Sequence, residues 1–233
     1  MKDDWYITRA CLRTDANVSA LAPLLTGKAG GFSSVHGGHH LVWSMFASEE
    51  SMKRQFLWRE FADGQFMVLS PVAPPIESSV LLIDTPKVFT PKLRAGQRLQ
   101  FTLRVNPVVR IRDLDTKNGS SKKHDIVMHA LFNKSISDRA RERRAIIQEA
   151  GFDWLVRQSY RSGFTIQKEW IRIDGYQKHT VPRNSKQRPI VFSSLDYDGV
   201  LEVNSPDIFL SRIKEGFGSA KSFGCGLMLI RRP

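Results

Sequence analysis

Three of the chain's six histidines stand together in Val35-His36-Gly37-Gly38-His39-His40. Imidazole, with an ordinary pKa of about 6.5, is well suited to moving a proton at neutral pH. Beside a nucleic acid, such a group could take the proton from a ribose 2′-OH. The oxyanion would then attack the adjacent phosphate with no metal required. A metal site would need further Cys, Asp or Glu ligands at suitable spacing, and none stands nearby in the sequence, so no metal is assigned. The competing reading is a tag-like or exposed polar turn.

A second chemistry-bearing stretch is GFGSAKSFGCG, Gly216 to Gly226. It superficially resembles a phosphate-binding P-loop, but that motif needs Gly directly before the Lys and a strand leading in. Here Ala220 precedes Lys221 and a helical pattern leads in, which excludes nucleotide hydrolysis. A Gly-rich connection can still bring backbone N–H groups around Gly218 and Ser219, together with Lys221, against a phosphate chain. The alternative, a helix C-cap followed by a tight turn, explains Gly216 alone.

Basic residues form the third feature. Arg139, Arg141, Arg143 and Arg144 lie in one helical run, with Arg139 and Arg143 as the candidates for phosphate contact. Lys117 with Lys122 and Lys123 forms another cluster. Lys178, Arg183, Lys186 and Arg188 fall in the connection between two expected strands, where a basic hairpin could enter the groove of an RNA helix. Each run also has a plain reading as a solvated surface.

Composition narrows the partners. The 233 residues carry 35 Lys and Arg against 23 Asp and Glu, a formal +12 that favours a polyanion. Anionic membrane would call for a basic amphipathic helix or a lipidation signal, and neither is visible. No run approaches the roughly 18 apolar residues of a membrane span, and the N-terminus lacks a signal-peptide core. Cys11 and Cys225 form no disulfide framework and no metal-ligand spacing. Together these point to a reducing cytoplasm.

The elements that must position these groups follow from periodicity. Trp5–Leu12 reads as a strand, Asp15–Gly38 as a loop, and His39–Ala47 as a helix that Gly37-Gly38 would start loosely. A hairpin follows, Gln55–Phe61 and Phe66–Leu69 joined by Asp63-Gly64. Val80–Phe89 is another strand, with at most a short helix before it. In the second half, Leu99–Val105 alternates as a half-buried strand does. A helix starts at Ser137-Asp138-Arg139, with Ala140, Ile147, Ala150 and Leu155 along one side and Gly151 as a possible break. Strands Thr165–Ile173 and Ile190–Val203 follow. A helix capped by Ser205-Pro206-Asp207 then turns Ile208, Phe209 and Ile213 inward, and Gly226–Ile230 is the last strand. The order βαββαβ, read twice, gives an α+β chain of two tandem ferredoxin-like domains, 1–95 and 96–233, with the boundary near Arg94-Ala95-Gly96-Gln97.

Two blocks carry a family resemblance. Phe89–Pro107 (FTPKLRAGQRLQFTLRVNP) and Gly216–Met228 (GFGSAKSFGCGLM) resemble the inter-domain and glycine-loop signatures of the CasE family. These are CRISPR repeat-processing endoribonucleases of subtype I-E Cascade. The resemblance covers nearly the whole chain, with Asp15–Gly38 and Asn106–Ser135 matching least. It implies tandem ferredoxin-like domains, no cofactor, metal-independent cutting at the base of a repeat stem-loop, and a 2′,3′-cyclic phosphate product. It also implies that the enzyme stays on the guide RNA beside the other Cascade subunits. The family's catalytic histidine falls on His39, followed by Trp43 and Phe46, with His40 as the neighbouring alternative. Where known members carry an assisting tyrosine, three residues earlier, this chain has His36. Lys221 is implied as an RNA-binding cation of ordinary pKa. A non-catalytic RNA-binding subunit on the same fold stands as the second reading. A double-stranded-DNA binder, which would need a recognition helix, is the third.

Overall fold

A computed structural model describes residues 4–15, 34–46, 56–112, 121–132, 134–182 and 187–233. The first half is built on β1 (Tyr6–Leu12), α1 (Ser34–Ser44), the hairpin β2 (Leu57–Ala62) and β3 (Gln65–Ser70), and the short strands β4 (Leu81–Ile83) and β5 (Lys87–Val88). The sheet runs β2-β3-β1-β4, all antiparallel, with β5 continuing along the β4 side of β1. The expected single strand Val80–Phe89 is therefore two pieces, divided at 84–86, where Pro86 has no N–H to give a ladder. Between β3 and β4 the chain forms no helix; Pro71, Pro74 and Pro75 account for that.

The second half repeats the strand order. Here β6 (Arg98–Val105), β9 (Phe164–Val181), β10 (Ile190–Val203) and β11 (Met228–Arg231) form a sheet ordered β11-β6-β10-β9. In both halves the first strand lies between the third and the last, and the second is at the edge. With α1 crossing between strands in the first half, and two crossing helices in the second, the strand order makes the chain a pair of tandem ferredoxin-like folds, the first lacking its second helix. A hairpin, β7 (Val108–Arg112) and β8 (Ser121–Asp125), and helix α2 (Ile126–Phe132) precede the long helix α3 (Ile136–Arg161). Helix α4 (Pro206–Glu215) leads into the glycine loop.

Several sequence expectations are corrected. Helix α1 starts at Ser34 and takes Gly37 and Gly38 into its interior; the position at 38 suits glycine because a Cβ there would lie 2.9 Å from Cη2 of the Trp58 indole. Helix α3 is capped by Ser135, whose Oγ accepts from the Asp138 N–H, rather than by Ser137 or Asp138. It runs through Gly151 unbroken: a Cβ there would lie 3.0 Å from Ile173 Cγ2, so the glycine serves close packing. Its buried side includes Ile146, Trp154 and Leu155, while Ala140 is exposed. In α4, Phe209 and Ile213 are fully buried but Ile208 is 53% exposed. The connection expected after Ile173 is strand as far as Val181, paired with β10 up to Ile190, so Lys178 sits in a long hairpin rather than a loop. Its charged residues read as a loop in the sequence because one side of the hairpin faces water. Gly175, at φ +64°, lies within the register shift that bends it.

Two cores hold the halves. Val42, Met45 and Phe46 of the α1 region pack with Trp58, Phe66 and Val68. The alternating residues Leu99, Phe101, Leu103 and Val105 of β6 pack under Leu155, Phe209 and Phe217. Strand β2 serves both: Trp58 faces α1, whereas its neighbour Leu57 joins the second core. Each such buried Leu or Phe contributes on the order of 1.5–3 kcal/mol.

Candidate active site

Helix α1 presents His39 toward the chain's last loop. His39 Nδ1 lies 2.8 Å from the backbone carbonyl of Ser222, 183 residues later. The indole Nε1–H of Trp58 donates to the same carbonyl at 3.2 Å. A carbonyl oxygen only accepts, so the proton is assigned to Nδ1, and the lone pair of neutral His39 falls on Nε2. That is the form a general base requires. Around the imidazole stand the rings of Trp43 at 6.0 Å, Phe223 at 5.7 Å and His40 at 5.4 Å. His40 is exposed and His39 half-buried. His36 lies one helical turn before His39; its side chain falls outside the described residues, as do Arg183 and Lys186 altogether.

The glycine loop has its own internal logic. Gly216, Gly218, Gly224 and Gly226 all have positive φ, as does Ala220 at 54°. A side chain at Gly218 would meet the Asn106 carbonyl at 2.8 Å, and one at Gly226 the Phe217 carbonyl at 2.6 Å. The loop is further pinned by Phe217 N–H to Gly226 O at 2.9 Å and by Gly226 N–H to Arg104 O at 2.7 Å. The sequence reading left all glycines but Gly216 to contact with a ligand. The structure gives them a second reason, dense packing against the chain itself. That packing stiffens the 3-10 turn Lys221–Phe223 which carries the Ser222 carbonyl.

Lys221 is half-buried, and its ammonium donates to the Glu215 carbonyl at the end of α4. Burial, reinforced by the Arg212 guanidinium, lowers its pKa from the ordinary lysine value, which corrects the expectation of an unshifted group. Nearby, Lys123 Nζ reaches Ser219 Oγ at 3.5 Å, so β8 brings Lys123 to the loop's flank, with Lys122 the preceding residue of the same strand. Lys178 and Arg188 are exposed at the far end of the β9–β10 hairpin.

The arginine run divides. Arg139 folds back, its Nε donating to Lys134 O and its Nη2 to Phe132 O, both at 2.9 Å, so it closes the α2–α3 junction. Arg141 is engaged with Asp138 and Glu142. Arg143 lies over the Tyr176 ring, 5.4 Å from its centroid. Together with Arg141, Arg144 and Arg172 it lines a groove of about 950 Å³ between α3 and β9. Arg172 was missed by sequence reasoning, as were Trp58 and the Ser222 carbonyl, while Arg144 was read only as part of the basic run. The glycine block pointed to the region of that carbonyl, but no side-chain signal marks a backbone acceptor. Cys225 is buried, which pushes its thiol up to about 12 and removes it as a nucleophile.

With this geometry in place, comparison with known proteins is decisive for the family. Residues 6–232 match the profile of the CRISPR associated protein family. The chain belongs to that family. Among its relatives is the CRISPR system Cascade subunit CasE of Escherichia coli (strain K12). It is 26% identical over 195 residues, covering 82% of this chain and 88% of the relative. Among solved structures, Thermus thermophilus Cse3 bound to an RNA representing a pre-cleavage complex superposes with a TM-score of 0.63. That pair is 20% identical and covers 98% of this chain and 99% of Cse3. Cas6e from Escherichia coli K-12 gives a TM-score of 0.59 at 17% identity, covering 98% of this chain and all of that one. Both superpositions span the tandem ferredoxin-like arrangement from end to end. No helix among the described residues is long and apolar enough to cross a membrane.

Proposed function

We propose that this family member is a CasE-type endoribonuclease. It cuts CRISPR repeat stem-loops without a metal and remains on the guide RNA with the other Cascade subunits in the cytoplasm. The observation that carries the reading is the Ser222 carbonyl on Nδ1 of His39, which leaves the basic lone pair of the neutral ring on Nε2. A bond of this kind fixes the tautomer that can accept a proton.

In the proposed reaction, His39 Nε2 takes the proton of the 2′-OH on the scissile nucleotide. The 2′-oxygen bonds to the adjacent phosphorus, and the P–O5′ bond breaks. The products are a 2′,3′-cyclic phosphate and a 5′-hydroxyl. The leaving 5′-oxygen takes up a proton from a second acid, a role we assign to His36, one turn away on α1. Lys221 and the backbone at Gly218 and Ser219 steady the phosphate. Burial lowers the pKa of Lys221, and an approaching phosphate favours its charged form. The stem is held by shape and phosphate contacts, as an A-form helix requires. Lys122, Lys123, Lys178, Arg183, Lys186, Arg188 and Arg143 supply the positive surface. We assign 1–95 as the unit carrying the histidines and 96–233 as the unit carrying the RNA grip.

The test is incubation of the purified protein, in EDTA, with a labelled repeat hairpin and with a copy carrying a 2′-deoxy substitution at the scissile nucleotide. Cutting of the first alone, ending in a cyclic phosphate, supports the reading. Tight binding with neither substrate cut favours a subunit that only holds RNA, the outcome that His36 in place of a tyrosine makes worth testing.

A further inference from the structure

Phe223 stands between two unlike neighbours. On one side its ring is 5.7 Å from His39; on the other it stacks on Phe192 of β10, at 5.3 Å with planes 20° apart. Phe192 in turn stacks on His179, its direct cross-strand partner on β9, at 4.8 Å and 25°. His179 is fixed by a 2.8 Å hydrogen bond between its Nε2 and Ser194 Oγ. Four rings therefore run in sequence from the basic hairpin to the histidine of α1.

Neither Phe192 nor Phe223 belongs to either hydrophobic core, and both are only half-buried. Core packing alone does not explain two large aromatic rings here. Their placement has a specific mechanical result. The Ser222 carbonyl and the Phe223 nitrogen belong to one planar peptide unit. Whatever holds the Phe223 ring therefore holds the carbonyl that orients His39. The ring is held by Phe192, and Phe192 rides on the hairpin that carries Lys178 and Arg188.

We propose that Phe192, acting through Phe223, is a positioning residue for His39. The β9–β10 hairpin sets the tautomer and direction of the imidazole by stacking Phe192 on the Phe223 ring, whose backbone nitrogen shares a peptide unit with the Ser222 carbonyl. RNA gripped by the hairpin is thereby registered at the histidine. The proposal rests on His39 being the proton-transfer group, and its test separates the two.

Phe192→Leu keeps an apolar side chain of similar bulk and removes the ring; Phe192→Tyr keeps the ring. Three quantities are compared with the unaltered protein: imidazole ¹⁵N shifts of His39, the single-turnover cleavage rate at saturating repeat hairpin, and the RNA Kd. Unaltered protein and Phe192→Tyr should show His39 protonated at Nδ1. In Phe192→Leu the two tautomers should average, and the rate should fall about 10-fold, the scale of a sub-ångström misplacement. The Kd should stay within about 2-fold. Phe223→Leu, on the other side of the stack, should give the same pattern, which guards against a single variant that folds poorly. Unchanged His39 shifts in both leucine variants would overturn the proposal, whatever the rates do. Full activity in His39→Ala would instead overturn the role of His39, while the shifts would still decide what Phe192 holds.

Discussion

Gly38, inside helix α1, lies directly against the indole of Trp58: a Cβ added there would stand 2.9 Å from Cη2 and 3.0 Å from Cζ3. Gly224 of the terminal loop approaches the same ring, with 3.0 Å from its hypothetical Cβ to Cζ3. Two glycines from distant parts of the chain thus clasp the tryptophan that shares the Ser222 carbonyl with His39. Gly→Ala inside a helix ordinarily stabilises by about 1 kcal/mol. At Gly38 the sign should reverse. Gly38→Ala should lower stability by about 1–3 kcal/mol through overpacking against a rigid ring. Denaturant titration beside Phe66-preserving controls in the same core checks it, and a stabilised variant would refute the clasp.

The arginine run makes a contrast testable within one helix. Arg139 is spent on two carbonyls at the α2–α3 junction, whereas Arg143 lines the groove beside Tyr176. Arg143→Ala should weaken RNA binding and lower the slope of log K against log salt by about 1, the mark of one lost phosphate contact. Arg139→Ala should leave that slope unchanged and lower the melting temperature instead. Salt titrations of RNA affinity on both variants distinguish the two roles.

Asp196 of β10 joins the halves electrostatically. It takes a bidentate pair from Arg104 of β6, at 2.8 and 2.7 Å, and lies 3.9 Å from Arg59 of β2. Burial lowers the pKa of Arg59, while the hydrogen bonds to Asp196 raise that of Arg104. Asp196→Asn would leave two guanidinium groups without their counter-charge. We expect a loss of about 2–3 kcal/mol in urea unfolding. That is less than the roughly 3–5 kcal/mol of a fully buried pair, because the Arg104 side chain remains 35% exposed.

His179 should make stability depend on pH. Its pKa is lowered from 6.5, first by burial and then by Arg104, against a raising effect of Asp196. The folded chain therefore binds fewer protons than the unfolded chain below about pH 6.5, and the sign follows: stability rises with pH across that window. The contribution is present above pH 6.5 and lost as the pH falls toward the folded-state pKa. His179→Gln should flatten the acid side of the melting curve by up to about 1.4 kcal/mol per pH unit. Equal slopes for the two proteins between pH 7 and 5 would contradict it.

Local signals in the sequence carried most of the strand order. Alternation over Leu99–Val105 marked β6, and Asp63-Gly64 marked the β2–β3 turn, because both depend on neighbouring residues alone. Glycines misled where their reason was distant. Gly37-Gly38 suggested a loose helix start and Gly151 a break, yet Gly38 and Gly151 are each a gap for a side chain from another element, Trp58 in one case and Ile173 in the other. The site was half legible for the same reason. Histidine chemistry and a glycine-rich loop could be read separately, but a backbone carbonyl meeting an imidazole 183 residues away leaves no mark in composition or spacing. Arg139 and Arg143 look equivalent in the chain; only the nearness of Phe132 O to one and Tyr176 to the other tells them apart.

The most direct measurement is single-turnover cleavage of a repeat hairpin by His39→Ala, with the RNA Kd determined on the same preparation. The expected result is a rate lower by about 10²–10⁴, the usual worth of one acid–base group, with the Kd within about 2-fold of the unaltered protein. Cleavage by His39→Ala at the rate of the unaltered protein would remove His39 from the reaction and move the search to His40 and His36.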